Sequence, residues 1–175
     1  MTKFNFDTYC GIYCGACSIM MAYKTGNKDR LASHWTEENL GAFLKAQGIS
    51  ISENDSLQLK CHGCKTDAVF INCKHCKIRN CAINRNMDHC FECSDYPCQL
   101  FHDTLFNKGM QQMLPHLKLV EEDLNSIKDM GIEKWLEVQA QQWKCPKCQT
   151  DSSWYTMSCA NCGTDLSENK KFNNR

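Results

Sequence analysis

Cysteine is the residue type in this sequence with the greatest capacity for chemistry. The chain has 175 residues, 15 of which are cysteines, and its Lys+Arg and Asp+Glu counts are equal at 20. The cysteines lie in residues 10–17, 61–98 and 145–162, and most of them form C-x2-C pairs, whose two sulfurs can bind one metal ion from a single turn. The N-terminal MTKFNFDTYC lacks the apolar core of a secretory signal, and an odd number of cysteines cannot all pair as disulfides. We therefore interpret the cysteines as metal ligands in a reducing compartment.

The expected metal ligands are all fifteen cysteines: Cys10, Cys14, Cys17, Cys61, Cys64, Cys73, Cys76, Cys81, Cys90, Cys93, Cys98, Cys145, Cys148, Cys159 and Cys162. At about four ligands for each site, they predict three to four zinc ions.

The C-terminal cysteines have the spacing of a zinc ribbon. Cys145 and Cys148 form one knuckle, and Cys159 and Cys162 form a second one after ten intervening residues. Four cysteine sulfurs complete the tetrahedron that structural zinc prefers and leave no position open for water. The segment SSWYTMS between the knuckles is β-type in composition.

The eleven cysteines outside this ribbon do not divide evenly into four-ligand sites. Cys61, Cys64, Cys73 and Cys76 read C-x2-C-x8-C-x2-C, which suits a second four-cysteine site. Four more follow in C-x8-C-x2-C-x4-C spacing: Cys81, Cys90, Cys93 and Cys98. Three all-cysteine sites would need twelve ligands, so one site uses another ligand or some thiols stay free. His102, at i+4 from Cys98, and His89 are the candidates, and the partition of ligands stays open.

Basic residues crowd around the middle cysteines. They are Lys60, Lys65, Lys74, Lys77 and Arg79. Cations near a thiolate-bound zinc offset its negative charge, and a solvated surface explains them equally well. A nucleic-acid-binding patch is the weaker interpretation, because the net charge is zero.

The N-terminal stretch YCGIYCGAC raises the question of an iron–sulfur enzyme. Its C-x3-C-x2-C spacing is similar to that of radical-SAM enzymes. That family needs a large parallel α/β barrel, for which no series of strand–helix repeats is visible, and Ala16 stands where an aromatic residue is usual. We expect instead that Cys10, Cys14 and Cys17 close a site with one ligand from the middle group, and that Tyr9 and Tyr13 pack around it.

Two functional alternatives to a non-catalytic zinc protein remain. The first is an iron–sulfur protein for redox or sensing, with a cluster at Cys10, Cys14 and Cys17, because both Zn and Fe–S sites can use four cysteines. The second is a zinc enzyme with an open metal position and a base such as Glu92 or Asp88. No hydrolase, deaminase or phosphate-loop motif is visible, so no catalytic residue is predicted and an enzyme is disfavoured.

Helix signals surround the cysteine groups. Thr36 is a predicted N-cap, with Gly48 just past the end of its helix, and a short helix is predicted after Cys17 with Gly26 as its stop. The segment from 50 to 60 is expected to be loop or short strand.

The stretch from 99 to 143 has the strongest helical periodicity in the chain. Asp95 and Pro97 are predicted to start a helix that ends at Gly109. Apolar residues then repeat at helical spacing over 120–143, and Gly131 divides them.

These elements predict a small α+β, metal-stabilised protein. Residues 1–101 form a cysteine-rich metal-binding domain, residues 102–143 a helical connector that packs on it, residues 144–167 a zinc ribbon and residues 168–175 a disordered tail.

The order of motifs resembles an uncharacterised cysteine-rich prokaryotic domain family, described only as a domain of unknown function. The resemblance covers residues 9–101 and rests on YCGIYCGAC, CHGC, CKHCKIRNCA and HCFECSDYPC. The segment IKDMGIEKWLEVQAQQWKCPKCQ is similar to a helix-plus-ribbon extension of longer members. The resemblance implies a metal-binding, zinc-type domain without an established reaction. Gln149 departs from it, because ribbons often carry Gly after the knuckle.

Composition bounds the location and the partners. The mean hydropathy is −0.51, and no apolar run approaches the ~18 residues of a membrane span. We expect a cytoplasmic protein that does not bind membranes and whose partner is a protein or a nucleic acid.

Overall fold

The computed structural model describes residues 3–170 and 172, and helices dominate this part of the chain. The α-helices are α1 (Ser18–Thr25), α2 (Arg30–His34), α3 (Glu37–Ala46), α4 (Ile71–Lys74), α5 (Lys77–Asn84), α6 (Gln99–Phe101), α7 (Lys108–Met113), α8 (Val120–Met130) and α9 (Ile132–Gln142). A π-helix, His102–Phe106, continues α6. Short 3-10 helices span Cys14–Ala16, Cys90–Glu92, Pro115–Leu119 and Ser167–Asn169.

The β component among the described residues consists of two isolated antiparallel bridges. One joins Lys144 to Asp151 and the other joins Ser158 to Asp165. The expected β-type segment SSWYTMS does not form a strand, because Trp154 and Tyr155 lie in a turn whose side chains are buried. The described chain is thus mostly helical, and the β part of the predicted α+β class reduces to these bridges.

Local capping explains α3, the helix predicted between Thr36 and Gly48. The Thr36 hydroxyl accepts a hydrogen bond from the Asn39 backbone N–H at 3.1 Å, which satisfies one of the free donors of the first turn. The chain leaves the helix at Gly48, whose φ of +70° suits a residue without a Cβ. Leu40 and Leu44 lie on one face and are fully buried.

A small apolar core joins the N-terminal helices to the middle of the chain. In this core Ile19 and Met20 of α1 pack with Leu40 and Leu44 of α3. Phe70 and Ile71, at the start of α4, complete it. Gly26 ends α1 with a φ of +76°, as predicted.

The main core lies between α8, α9 and the first cysteine segment. Its buried members include Tyr13, Ala16, Ile78, Phe101, Leu105, Leu117, Val120, Leu124, Ile127, Trp135, Trp143, Trp154, Tyr155 and Phe172. Gly131 separates α8 from α9, as the periodicity predicted. The backbone N–H of Trp154 donates to the Ala16 carbonyl at 2.9 Å. This bond joins the C-terminal segment directly to the N-terminal cysteine segment.

Two local predictions are wrong. Gly109 does not end a helix: it lies inside α7, which Asn107 caps by accepting hydrogen bonds from two backbone N–H groups. The disorder predicted from residue 168 does not hold for the described residues there, because Ser167–Asn169 is helical and the side chains of Lys170 and Phe172 are buried. The rest of the predicted tail, residues 171 and 173–175, lies outside the described residues.

Candidate metal centres

Four cysteines at the C-terminal end form a compact cluster, which we call the four-cysteine cluster. The Sγ atoms of Cys145, Cys148, Cys159 and Cys162 all lie within 4.8 Å of one another. The pair Cys145 and Cys162 is 3.6 Å apart, and the pair Cys148 and Cys159 is 3.5 Å apart. These four sulfurs could hold a metal ion.

The two halves of the cluster repeat the same local structure fourteen residues apart. In the first half the Cys145 backbone N–H donates to Thr150 and its carbonyl accepts from Gln149, both at 2.9 Å. In the second half the Cys159 N–H donates to Thr164 at 2.8 Å, and its carbonyl accepts from Gly163 at 2.9 Å. The bridges at Lys144 and Ser158 also differ by fourteen positions. CPKCQT and CANCGT are therefore two copies of one knuckle.

The residue after each knuckle takes a left-handed backbone conformation. Gly163 has a φ of +70°, and Gln149 at the equivalent position has a φ of +61°. Gln149 thus adopts the conformation that glycine adopts at the equivalent position, at the steric cost of its Cβ. Its side chain donates to the Cys145 carbonyl at 3.3 Å.

Each knuckle also places a threonine hydroxyl on a sulfur. The Thr150 hydroxyl lies 3.2 Å from Cys148 Sγ, and the Thr164 hydroxyl lies 3.1 Å from Cys162 Sγ. Hydrogen bonds from the side chain and then the backbone of Thr150, followed by the Asn161 side chain, lower the pKa of the Cys148 thiol to about 5. The hydroxyl and backbone of Thr164 likewise lower the pKa of Cys162. These bonds favour the thiolate, which is the form that binds metal. The threonine repeated two residues after each knuckle is a signal in the sequence that the spacing of the cysteines alone does not reveal.

The N-terminal cysteine segment packs against the first middle knuckles. Cys14 begins a 3-10 helix and Cys17 caps α1. Burial raises the pKa of Cys14 well above its ordinary value, and the nearby thiols of Cys17, Cys64 and Cys61 raise it further. Burial also raises the pKa of Cys73 well above its ordinary value, and the nearby thiols of Cys17 and Cys61 raise it further. These five cysteines form one neighbourhood.

Cys10 has a second set of thiol neighbours, and Cys64 belongs to both sets. Burial raises the pKa of Cys10 to about 11, and Cys76 is the nearby thiol that adds to the effect. Burial raises the pKa of Cys64 to about 12, with contributions from Cys10 and Cys76. Burial also raises the pKa of Cys90, with Cys10 as its first thiol neighbour.

Four of the middle cysteines, including Cys90, border a cavity of about 270 Å³. Cys81, Cys90, Cys93 and Cys98 all line it. Nη1 of Arg85 lies 2.9 Å from Cys93 Sγ, and the same atom lies 2.9 Å from a carboxylate oxygen of Asp95. Within residues 3–170, no three of the eleven cysteines outside the four-cysteine cluster have sulfurs all within 4.8 Å of one another.

The two histidines considered as metal ligands, His89 and His102, have contacts with a carboxylate and with aromatic rings. His89 is buried; its Nε2 lies 3.0 Å from an Asp7 carboxylate oxygen, and its ring stacks on Phe91. His102 is exposed, and its ring packs against Phe106. A histidine that the sequence analysis set aside is the unusual one: Nε2 of His75 is buried without a hydrogen-bond partner among the described residues. A buried unpaired nitrogen is costly unless something binds it.

The glycines of YCGIYCGAC have packing roles. Gly11 has a φ of +84°, and a Cβ there would lie 2.7 Å from Leu124 Cγ of α8. A Cβ at Gly15 would lie 2.3 Å from the Tyr13 ring. Tyr13 itself is buried against Trp135, and Lys65 lies over the Tyr9 ring. The repeated Tyr-Cys-Gly element therefore packs the N-terminal segment onto α8 and α9.

Several basic side chains around the middle cysteines form ion pairs or hydrogen bonds within the protein. Lys65 Nζ lies 2.5 Å from an Asp7 carboxylate oxygen, and Lys74 Nζ lies 2.7 Å from one of Asp55. Arg79 donates to the Cys64 carbonyl at 2.9 Å. These partners reduce the free positive charge that a nucleic-acid patch would need.

The acidic residues considered as catalytic bases also have a local role. A Glu92 carboxylate oxygen accepts the backbone N–H of Asp88 at 2.9 Å, which closes the loop before the 3-10 helix Cys90–Glu92. Its other carboxylate oxygen lies 3.6 Å from His89 Nδ1.

The family comparison covers the cysteine-rich part of the chain. The family model described as "Protein of unknown function (DUF3795)" matches residues 6–103, more than half of the sequence. The chain belongs to this family, which agrees with the resemblance seen in the motif order. Neither the curated proteins nor the solved structures gave a match. Over the part of the chain that the structure describes, no helix is both long and apolar enough to cross a membrane.

Proposed function

We propose that this protein binds metal ions for structural purposes and that its four-cysteine cluster is a zinc ribbon. The observation that carries the proposal is the cluster's geometry, with sulfur pairs 3.5 and 3.6 Å apart. Four sulfurs bonded to zinc at about 2.3 Å lie about 3.8 Å from one another, so the cluster needs only small shifts of its sulfurs to accept the ion. Because protein supplies all four ligands, this zinc is structural and not catalytic.

The packing around the cluster supports a metal-dependent fold. Its core consists of Cys145, Cys159 and Leu166, with Cys148 and Cys162 packed against them. One leucine buries too little apolar surface to order two knuckles and their turns. Metal–sulfur bonds supply the missing free energy, and the binding of zinc is coupled to the folding of the segment.

The proposal extends to the eleven other cysteines, which with the cluster make three to four metal centres. Many of these thiols are buried, and burial raises the pKa of those that shift. A metal ion turns such a set of neutral buried thiols into bonded thiolates that hold distant segments together. On this view residues 1–101 and 144–167 are metal-stabilised units, and residues 102–143 are the helical part between them.

Zinc content of the full chain and of matched variants tests the ribbon. We expect the double variant Cys148→Ser/Cys162→Ser to lose one zinc ion per chain and to become sensitive to proteolysis in residues 144–167. Thr150→Val keeps every ligand but removes the hydroxyl on Cys148, so zinc affinity should fall about tenfold to a hundredfold. Thr150→Ser restores the hydroxyl and should restore the affinity.

Two results would contradict the ribbon. One is full-length protein that folds without zinc and does not bind it when it is added. The other is a double variant that retains the same zinc content as the unmodified chain.

A further inference from the structure

The cavity beside α5 and α6 is bordered by four of the eleven middle and N-terminal cysteines. Cys81 lies on α5, Cys90 begins the 3-10 helix Cys90–Glu92 and Cys93 follows it, and Cys98 is the N-cap of α6. These four cysteines, from three successive segments, therefore line one partly open cavity of about 270 Å³.

This cavity is larger than the space that a single metal ion needs. The four-cysteine cluster shows what a mononuclear site looks like in this chain, with its sulfurs within 4.8 Å of one another. Within the described residues, no three of the cysteines around the cavity meet that limit. The cavity also exceeds many times over the about 10–15 Å³ of accessible volume that one water molecule needs. A cube of four irons and four sulfides separates its cysteine sulfurs by about 6 Å and fills such a space.

The walls of the cavity have the character of an iron–sulfur site. Ile78, Ala82 and Phe101 are buried and give the cavity an apolar inner wall. Arg85 adds a cation at Cys93 Sγ, at a hydrogen-bonding distance of 2.9 Å. Iron–sulfur clusters held by four thiolates carry net negative charge, and N–H groups directed at their sulfurs stabilise that charge and set the reduction potential.

We propose that Cys81, Cys90, Cys93 and Cys98 hold a [4Fe–4S] cluster in this cavity. The proposal deepens the metal-binding function for four of the eleven cysteines and does not depend on zinc in the ribbon. It moves the iron–sulfur site away from Cys10, Cys14 and Cys17, where sequence spacing alone had suggested it. The spacing C-x8-C-x2-C-x4-C acquires this meaning only because the fold bends its four members around one space.

The test uses the full chain, purified without oxygen and reconstituted with ferrous iron and sulfide. We expect about four irons and four sulfides per chain, visible absorption of the cluster, and an electron paramagnetic resonance signal after one-electron reduction. Cys98→Ser should lose the absorption and the iron while it retains the ribbon zinc. Cys162→Ser is the matched control, because it should lose zinc and retain iron.

Cys98→Ser could lose iron because it misfolds, so the test also needs a variant that keeps all the cysteines. Arg85→Gln removes the cation at Cys93 Sγ from a half-exposed position, so the iron content should stay the same. Its reduction potential should move to a more negative value, because the reduced and more negative cluster loses a stabilising charge.

Three results would overturn the proposal. Reconstituted protein could stay colourless with zinc as its metal. The cluster could survive Cys98→Ser and be lost in Cys14→Ser, which would place it at the N-terminal segment. The reduction potential could be the same in Arg85→Gln, which would place the cluster away from this cavity. A failure of the ribbon would appear separately, as loss of zinc with iron retained.

Discussion

His116 is a buried histidine whose protonation should make the protein sensitive to mild acid. Its ring stacks on Trp154 with centroids 3.7 Å apart, and its Nδ1 lies 2.7 Å from the Tyr155 hydroxyl. Burial lowers the pKa of His116 to about 3, from an ordinary value of 6.5. The folded protein therefore keeps this ring neutral at pH values where the unfolded chain binds a proton.

The sign and size of the effect follow from this difference in pKa. As pH falls below 6.5 the unfolded state takes up a proton that the folded state does not, so the free energy of unfolding decreases until pH reaches about 3. Between pH 7 and pH 5, protonation stabilises the unfolded state by about 2 kcal/mol, at 1.36 kcal/mol for each pH unit below the unfolded pKa. That loss is a substantial part of the free energy of unfolding of an ordinary domain, which is about 5–15 kcal/mol.

The assay is chemical denaturation of the full, metal-loaded chain at pH 7 and pH 5. His116→Gln keeps a polar planar side chain beside Trp154 but does not titrate, so its loss of stability over this range should be smaller than that of the original chain by about 2 kcal/mol. Protonation of the cysteine ligands affects both proteins equally and cancels in the comparison. His34→Gln, at an exposed position, is the control for the substitution itself. Equal losses in the original chain and in His116→Gln would refute the reasoning.

Two further predictions concern backbone conformation. Gly11→Ala should lower the free energy of unfolding by about 2–4 kcal/mol, because the new Cβ adds a collision with Leu124 to the cost of a positive φ. The control is Gly26→Ala, at a similar φ with nothing within 4 Å, which should cost only about 1–2 kcal/mol. Equal effects of the two changes in thermal unfolding would contradict the packing role of Gly11. Gln149→Gly should raise the stability of the metal-loaded protein by about 0.5–1 kcal/mol, because glycine relieves the strain of the left-handed backbone at φ +61°. The opposite change at the equivalent position of the second knuckle, Gly163→Gln, should lower the stability by a similar amount. A decrease in stability on Gln149→Gly would mean that the side-chain hydrogen bond to the Cys145 carbonyl outweighs the strain.

Helix boundaries were the part of the fold most accessible from the sequence. Thr36, Gly26, Gly48 and Gly131 stand where the structure begins or ends helices. Capping bonds and positive φ angles involve residues only a few positions apart, so these effects need no knowledge of the rest of the chain. Gly109 was misjudged because Asn107 caps the next helix and carries the chain through the glycine.

The four-cysteine cluster was also accessible, because each C-x2-C knuckle is local and only one short turn separates the two. The contacts between residues far apart in the sequence could not be predicted in this way. Asp7 and His89 are 82 positions apart, and only the folded chain brings them to 3.0 Å. The burial of Lys170 and Phe172 was missed for the same reason, since the polar composition around them gave no sign of the tryptophan and tyrosine rings that receive them.

The sequence by itself determined that cysteines dominate the chemistry of this protein, that they come in knuckles and that helices separate them. Residue type and short spacing carry that information, because a metal-binding turn and a helix cap are formed by neighbours. Only the tertiary structure shows that Cys81, Cys90, Cys93 and Cys98 border one cavity. Spacing alone allows many pairings of these thiols, because it does not say which distant segments pack together, as those of Tyr13, Ala16 and Ile78 do in the main core.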